Sequence, residues 1–310
     1  MLPRLAVLGT ALLCSLSASA FELTHSQGQL KLAATPQKIV SFDLATLDSL
    51  NALNVPVAGV PQSTYKNELA KYRETLVIGT LFEPNYAALN ALKPDLIFSS
   101  GRANRAVEEL KKIAPTVQMA SDTNAFMKTF NQSNQDLARA FGKQKVAQPY
   151  LERINRNVNA LQQANRGKTG AFLFVVNNNV STQVPGDRFG YAFELTGLKA
   201  VLPAKDPNAP ATPRPAAGSP EAKRAAEERA QALVTLAKAE PDWLLVLDRG
   251  AINDAPKTAA QVLAKHPEIS KTQAFQRGRV VYLDPNGWYV IGGGLNNLTA
   301  ITEHLLSTMK

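Results

Sequence analysis

The chain has 310 residues, a formal net charge of +9, 45% hydrophobic residues and a single cysteine. That length suffices for two ordinary domains, and one cysteine excludes a disulfide framework. The lysines and arginines are scattered, with no basic run interleaved with aromatics and no recognised nucleic-acid motif, which excludes nucleic acid as a partner and leaves an anionic surface or an anionic small molecule.

Residues 1–20 read as an export signal. Arg4 supplies the positive start, Leu5 to Leu16 is almost uninterruptedly apolar, and Ala18-Ser19-Ala20 is a cleavage site. The apolar run is shorter than the roughly 20 residues that a membrane span needs. Leu13 precedes Cys14 where lipoprotein signals carry a small residue, which argues against lipid attachment. Cleavage after Ala20 predicts a periplasmic, disulfide-free mature protein.

Residues 21–122 read as a first α/β lobe. Ile39-Val40-Ser41-Phe42 forms a strand, and Asp43 caps a helix that carries Leu44, Leu47, Leu50 and Leu53 on one side. Val57-Ala58-Gly59-Val60 and Leu76-Val77-Ile78-Gly79 are further strands, and a helix from about Asn85 to Leu92 follows. Such alternation of strand and helix is the signature of a mostly parallel sheet. Residues 123–165 carry Leu137, Phe141, Tyr150, Ile154, Val158 and Leu161 at three- and four-residue intervals. They predict a rigid amphipathic backbone helix, or two in series, since Gly142 and Pro149 can each bend it.

A second α/β lobe spans residues 166–310. Ala171 to Val176 is a strand, Tyr191 to Leu195 a helix stopped by Gly197, and residues 203–220 a Pro/Ala-rich insertion. Ser219-Pro220-Glu221 opens the next helix with a cap, a proline and an early acid. Val280 to Leu283 is the last strand, and a helix from about Asn296 to Met309 closes the chain.

One pattern occurs in both lobes. Leu92-Lys93-Pro94-Asp95 leads into Leu96-Ile97-Phe98, and Ala239-Glu240-Pro241-Asp242 leads into Trp243 to Leu247. In each, an arginine stands eight residues past the proline, Arg102 and Arg249. Pro-Asp is turn chemistry, and the short non-alternating run reads as a strand buried on both faces. Ligands of open α/β sheets bind outside the carboxyl ends of such strands, so the two lobes face a shared cleft.

Enzyme chemistry finds little support. His25, His266 and His304 are far apart, and no zinc-ligand cluster, G-x-S-x-G or H-E-x-x-H motif is present. Gly292-Gly293-Gly294 lacks the partners of a phosphate loop and reads as a tight turn before the last helix. The arginines are the positive signal: Arg102, with Arg105 three residues on, Arg249, and Arg188 in Pro185-Gly186-Asp187-Arg188-Phe189-Gly190. Guanidinium groups stay charged and donate in a planar fork to paired oxygens. Trp288 and Tyr289 follow the last strand, so they also fall at a strand end, with core packing the alternative for Trp288.

At these residues, together with Leu81-Phe82-Glu83-Pro84-Asn85-Tyr86 and Tyr282-Leu283-Asp284-Pro285, the chain resembles the helical-backbone periplasmic binding proteins that deliver ferric siderophores to ABC importers. The catecholate group is the nearest likeness. The resemblance implies two α/β lobes with mostly parallel central sheets joined by a rigid helix and a cleft between them. It implies a monomer with no intrinsic cofactor, whose partners are an Fe(III)-siderophore and an inner-membrane permease. It also implies that Arg102, Arg105, Arg188, Arg249, Trp288 and Tyr289 meet the ligand. Some members of that group place a tyrosine and a histidine on the metal when the chelate leaves sites open. Tyr289 matches the tyrosine, but residues 205–240 hold no histidine, which favours a chelate that saturates its own iron. Glu227 or Glu228 is the alternative oxygen ligand, and Ala87 stands where a permease-docking glutamate is expected. Competing readings are the same fold binding haem, cobalamin or a hydroxamate or carboxylate chelate, and an exported α/β enzyme.

Overall fold

The computed structural model describes residues 20–208 and 215–309. The export signal up to residue 19, with Cys14, and residues 209–214 of the insertion lie outside the described residues. The described chain opens with an antiparallel hairpin, β1 (Phe21–His25) and β2 (Gly28–Leu32). Phe21 and Leu23 alternate inward and are buried, so this hairpin precedes Ile39-Val40-Ser41-Phe42, the first strand expected in the lobe.

The first sheet comprises β3 (Ile39–Ser41), β4 (Gly59–Val60), β5 (Leu76–Val77), β6 (Leu96–Phe98) and β7 (Thr116–Val117), all parallel in the order β5-β4-β3-β6-β7. Its helices are α1 (Leu44–Ala52), α2 (Tyr86–Leu92) and α3 (Val107–Lys111). Asp43 caps α1, its carboxylate accepting from Thr46 N at 3.2 Å and Thr46 Oγ1 at 2.6 Å. β3 and β6 are buried along their whole length, which is why neither alternates in sequence.

Residues 123–165 form two helices, α4 (Phe126–Ala140) and α5 (Gln144–Ala164). The break falls at Gly142, whose φ of +64° suits glycine, while Pro149 lies within the continuing α5. The helices fold back on one another, and Asn131 and Asn155 exchange hydrogen bonds of 3.0 and 3.1 Å. The connection is therefore a helical hairpin rather than one long rod.

The second sheet holds β8 (Thr169–Val176), β10 (Lys199–Ala200), β11 (Trp243–Asp248) and β12 (Val280–Tyr282), parallel in the order β10-β8-β11-β12. β9 (Asn179–Gln183) returns antiparallel along β8. Helices α6 (Tyr191–Thr196), α7 (Pro220–Lys238), α8 (Ala259–Ala264), α9 (Gln273–Gln276) and α10 (Leu295–Thr308) complete this lobe. Ser219 Oγ caps α7 by accepting from Ala222 N at 3.1 Å.

Both Pro-Asp crossovers are built alike. Lys93 and Glu240, just before the prolines, take positive φ of +52° and +45° and end the preceding helices. Asp95 Oδ2 accepts from the backbone N–H of Gln37 and Lys38, both at 2.8 Å. Asp242 Oδ2 accepts from Thr169 N at 2.8 Å and Thr169 Oγ1 at 3.1 Å. Each aspartate thus pins the start of the neighbouring strand, β3 or β8, beside the start of its own.

The lobes share one apolar core. A single cluster joins Leu50, Leu96 and Phe98 of the first lobe to Leu151, Ile154 and Val158 of α5, Phe172 and Leu245 of the second sheet, and Leu298 and Leu305 of α10. Each such side chain is worth about 1.5–3 kcal/mol when buried, so separating the lobes costs far more than turning a hinge. Polar contacts reinforce the join. Asp48 of α1, 2% exposed, accepts from Asn297 N in the first turn of α10 at 3.0 Å, supplying a cap that Gly294 cannot. A Cβ on Gly294, where φ is +85°, would lie 2.4 Å from Asp48 Oδ2, which explains glycine at the end of the Gly292-Gly293-Gly294 turn. Burial pushes the Asp48 carboxyl up to about 7, against the opposing pull of the Asn297 and Asn296 N–H groups.

Candidate ligand-binding cleft

Four local structures converge on the carboxyl edges of the two sheets. Arg102 follows β6 on a 3-10 turn, Gly101–Ala106. Arg188 projects from a turn closed by Asp187, whose carboxylate accepts from Val184 N at 3.1 Å. Gly190 in that turn has no room for a side chain, since a Cβ would lie 2.4 Å from Val184 O. Arg249 follows β11 directly behind buried Asp248, which accepts from Gly250 N at 3.0 Å, Thr258 N at 2.7 Å and Ala259 N at 2.8 Å. Tyr289 sits on a π-helical turn, Asn286–Ile291, after β12.

Tyr289 is the meeting point. Its carbonyl oxygen accepts from Arg102 Nη2 and from Arg188 Nη2, each at 2.7 Å, and Arg102 Nη1 donates to Val290 O at 2.9 Å. The Arg188 guanidinium lies 4.5 Å from the Tyr289 ring centroid and that of Arg249 lies 5.4 Å from it. Burial pulls the Arg102 pKa below its ordinary value, and the like charge of Arg188 pulls it the same way. An arginine remains protonated regardless. For Tyr289, burial favours the neutral phenol, but hydrogen bonds and positive charge from Arg249 and Arg188 outweigh it and lower the pKa. Three cations with no carboxylate among the lining residues leave the cleft, of about 570 Å³, strongly positive. That arrangement suits an anionic oxygen chelate.

Two of the residues expected at the site stand elsewhere. Arg105 is exposed and outside the lining, because one 3-10 turn carries it roughly 6 Å further along the axis. Trp288 is 1% exposed, stacked on Tyr191 at 5.1 Å and tilted against Phe172 at 6.2 Å, so it props the cleft floor from below. The opposite wall is formed by Gln62, Ser63, Thr64, Leu81 and Phe82, with Ile252 and Asn253 nearby, none of them charged and none expected from the sequence as a ligand contact. Gln62, Ser63 and Thr64 follow β4, and Leu81 and Phe82 follow β5, so they too stand beyond the carboxyl ends of strands. Among the described residues no group of three or more His, Cys, Asp or Glu side chains could hold a metal ion.

This pairing of two parallel-sheet lobes with a strand-end cleft is the architecture of a binding protein, and residues 39–286 match the periplasmic binding protein family, to which the chain belongs. It is 28% identical over 281 residues to the petrobactin-binding protein YclQ of Bacillus subtilis, covering 89% of this chain and 83% of that one. It is 29% identical over 294 residues to the ferric-anguibactin-binding protein FatB of Vibrio anguillarum, covering 92% and 86%. The solved YclQ structure superposes with a TM-score of 0.78 at 25% identity, covering 94% of this chain and 99% of that one. The structure of siderophore-binding protein BauB with ferric iron and two acinetobactin molecules gives 0.78 at 24% identity, covering 94% and 99%. The two-lobed α/β expectation is met, and the enzyme alternative gives way, because the family binds substrates for transport.

Proposed function

We propose that this protein is the substrate-binding component of an ABC importer, capturing an anionic Fe(III)-siderophore, a catecholate in particular, and handing it to an inner-membrane permease. It does so in the periplasm, as a monomer, after its signal is removed. The observation that carries this reading is the convergence of Arg102, Arg188 and Arg249 on Tyr289 in a cleft without an acid. The names of YclQ and FatB, one for petrobactin and one for ferric anguibactin, support the ligand class. A ferric tris-catecholate carries a net charge of about −3, and each hydrogen bond between it and a guanidinium contributes roughly 1.5–3 kcal/mol. A cobalamin or a neutral ferric hydroxamate has less use for that charge.

Titration of the purified protein with ferric catecholates, ferric hydroxamates, ferric citrate and haem tests the reading through quenching of the tryptophans, Trp288 lying just under the cleft floor. The expected result is tightest, stoichiometric binding of a ferric catecholate that is recovered unchanged. Tightest binding of haem or of a neutral hydroxamate would overturn it. A tyrosinate-to-iron absorption band from Tyr289 is expected only with chelates that leave iron sites open, because a saturated chelate has no position for the phenolate; the lack of a histidine in residues 205–240 favours the saturated kind.

A further inference from the structure

The two walls of the cleft differ in chemistry, and the neutral wall carries a side chain that nothing in the fold uses. Phe82 is 61% exposed, yet it lines the cleft beside Leu81. A single exposed apolar residue is ordinary on a protein surface. The backbone beneath this one is not free to bury it. Thr80 N donates to Glu83 O at 2.8 Å, while Thr80 Oγ1 accepts from Phe82 N at 3.2 Å and Glu83 N at 2.9 Å. Gly79 anchors the turn: its carbonyl accepts from Gln62 N at 2.7 Å, and a Cβ there would lie 2.3 Å from Glu83 O. The turn therefore holds Phe82 out over the cleft.

The opposite wall cannot offer an aromatic face of its own. Tyr289 is covered by the Arg188 guanidinium and stacks on Phe174 at 6.1 Å, and Phe189 is buried. Among the described residues lining the cleft, Phe82 is the aromatic ring without such a partner. We propose that Phe82, backed by Leu81, is a specificity-determining residue: it packs against the aromatic donor rings of the chelate while the arginines hold its charge, so the cleft prefers aromatic chelates over aliphatic ones of similar charge. This rests on the siderophore reading above and adds to it which face of the ligand meets the first lobe.

The test compares wild type, Phe82→Ala and Phe82→Tyr against a ferric tris-catecholate and ferric citrate, with thermal melts as a folding control. Phe82→Ala should weaken catecholate binding at least fivefold, change citrate binding less than twofold and leave the melt in place, while Phe82→Tyr should retain the preference. Equal losses for both chelates, or no loss for either, would overturn the proposal. So would intact binding with lost uptake in cells, which would assign Phe82 to permease contact. If wild type binds neither chelate, the siderophore reading itself fails, an outcome distinct from a wild type that binds and a variant that does not notice the change.

Discussion

Arg102 and Arg249 occupy matching positions in the two lobes, and the structure uses them differently. Both follow a Pro-Asp crossover with a left-handed residue before the proline, Lys93 or Glu240, a strain of roughly 1–2 kcal/mol for a residue with a Cβ. Both stand just past a fully buried strand. Yet Arg102 reaches across the lobe boundary and donates to two backbone carbonyls, whereas exposed Arg249 stays over the Tyr289 ring. A repeated scaffold fixes where a guanidinium emerges. What it then touches is set by the turn around Tyr289 in the second lobe, which offers backbone carbonyls to Arg102 across the lobe boundary and an aromatic face to Arg249 within its own lobe. The first lobe thus supplies clasps, Arg102 and Asp48, and the second supplies hooks for the ligand.

The contrast should be sharpest in variants of the arginines. Arg188→Ala with Arg249→Ala should weaken ferric-catecholate binding at least 100-fold, about 2.7 kcal/mol, with little change in melting temperature. Arg102→Ala should weaken binding and also lower the melting temperature by a few degrees, since two interlobe hydrogen bonds are lost. Parallel titrations and melts measure both. Equal melting behaviour of the two variants would erase the distinction between clasp and hook.

Asp48 extends the comparison to pH. Its carboxyl is raised to about 7, so the neutral form favours the folded state at acid pH, and that contribution is lost as pH rises through about 7. The groups that face it are Glu68, whose charge raises it further, Tyr72, and the N–H groups of Asn296 and Asn297. Asp48→Asn keeps an acceptor for the Asn297 N–H without the charge. Denaturation measured from mildly acid to mildly alkaline pH should show a flatter profile, with the variant more stable than wild type above neutrality by on the order of 1–3 kcal/mol. A profile parallel to wild type would remove Asp48 from the account.

The smallest effects test whether the two crossovers are truly equivalent. Asp95→Ala and Asp242→Ala each remove two hydrogen bonds to the neighbouring strand, and each should cost about 1–2 kcal/mol in denaturant titrations without altering ligand affinity. A loss confined to one lobe would show that the shared sequence pattern hides unequal roles.

The sequence was most informative where one residue type has one physical use. Pro-Asp before an apolar run located an interior strand in each sheet, β6 and β11, Asp43 and Ser219 marked helix starts, and Gly142 marked a break. It was least informative where neighbours decide. Trp288 and Tyr289 are adjacent and both aromatic, and only the π-helical turn sends one into the core and the other to the cleft. The neutral wall stayed hidden because Gln62, Ser63 and Thr64 carry no charge to single them out, and Leu81-Phe82 stood out only as part of a family likeness and not as a ligand contact. Strands of two residues, such as β7 and β10, are too short to show any period.

The continuous core joining the lobes has a kinetic meaning. A cleft whose walls are already in place loads without first closing, so capture is governed by diffusional encounter, drawn in by the positive field and slowed by added salt. Release retraces the same open path, so the residence time of a bound ligand is set by the contacts it makes with the cleft walls and not by a hinge held shut over it.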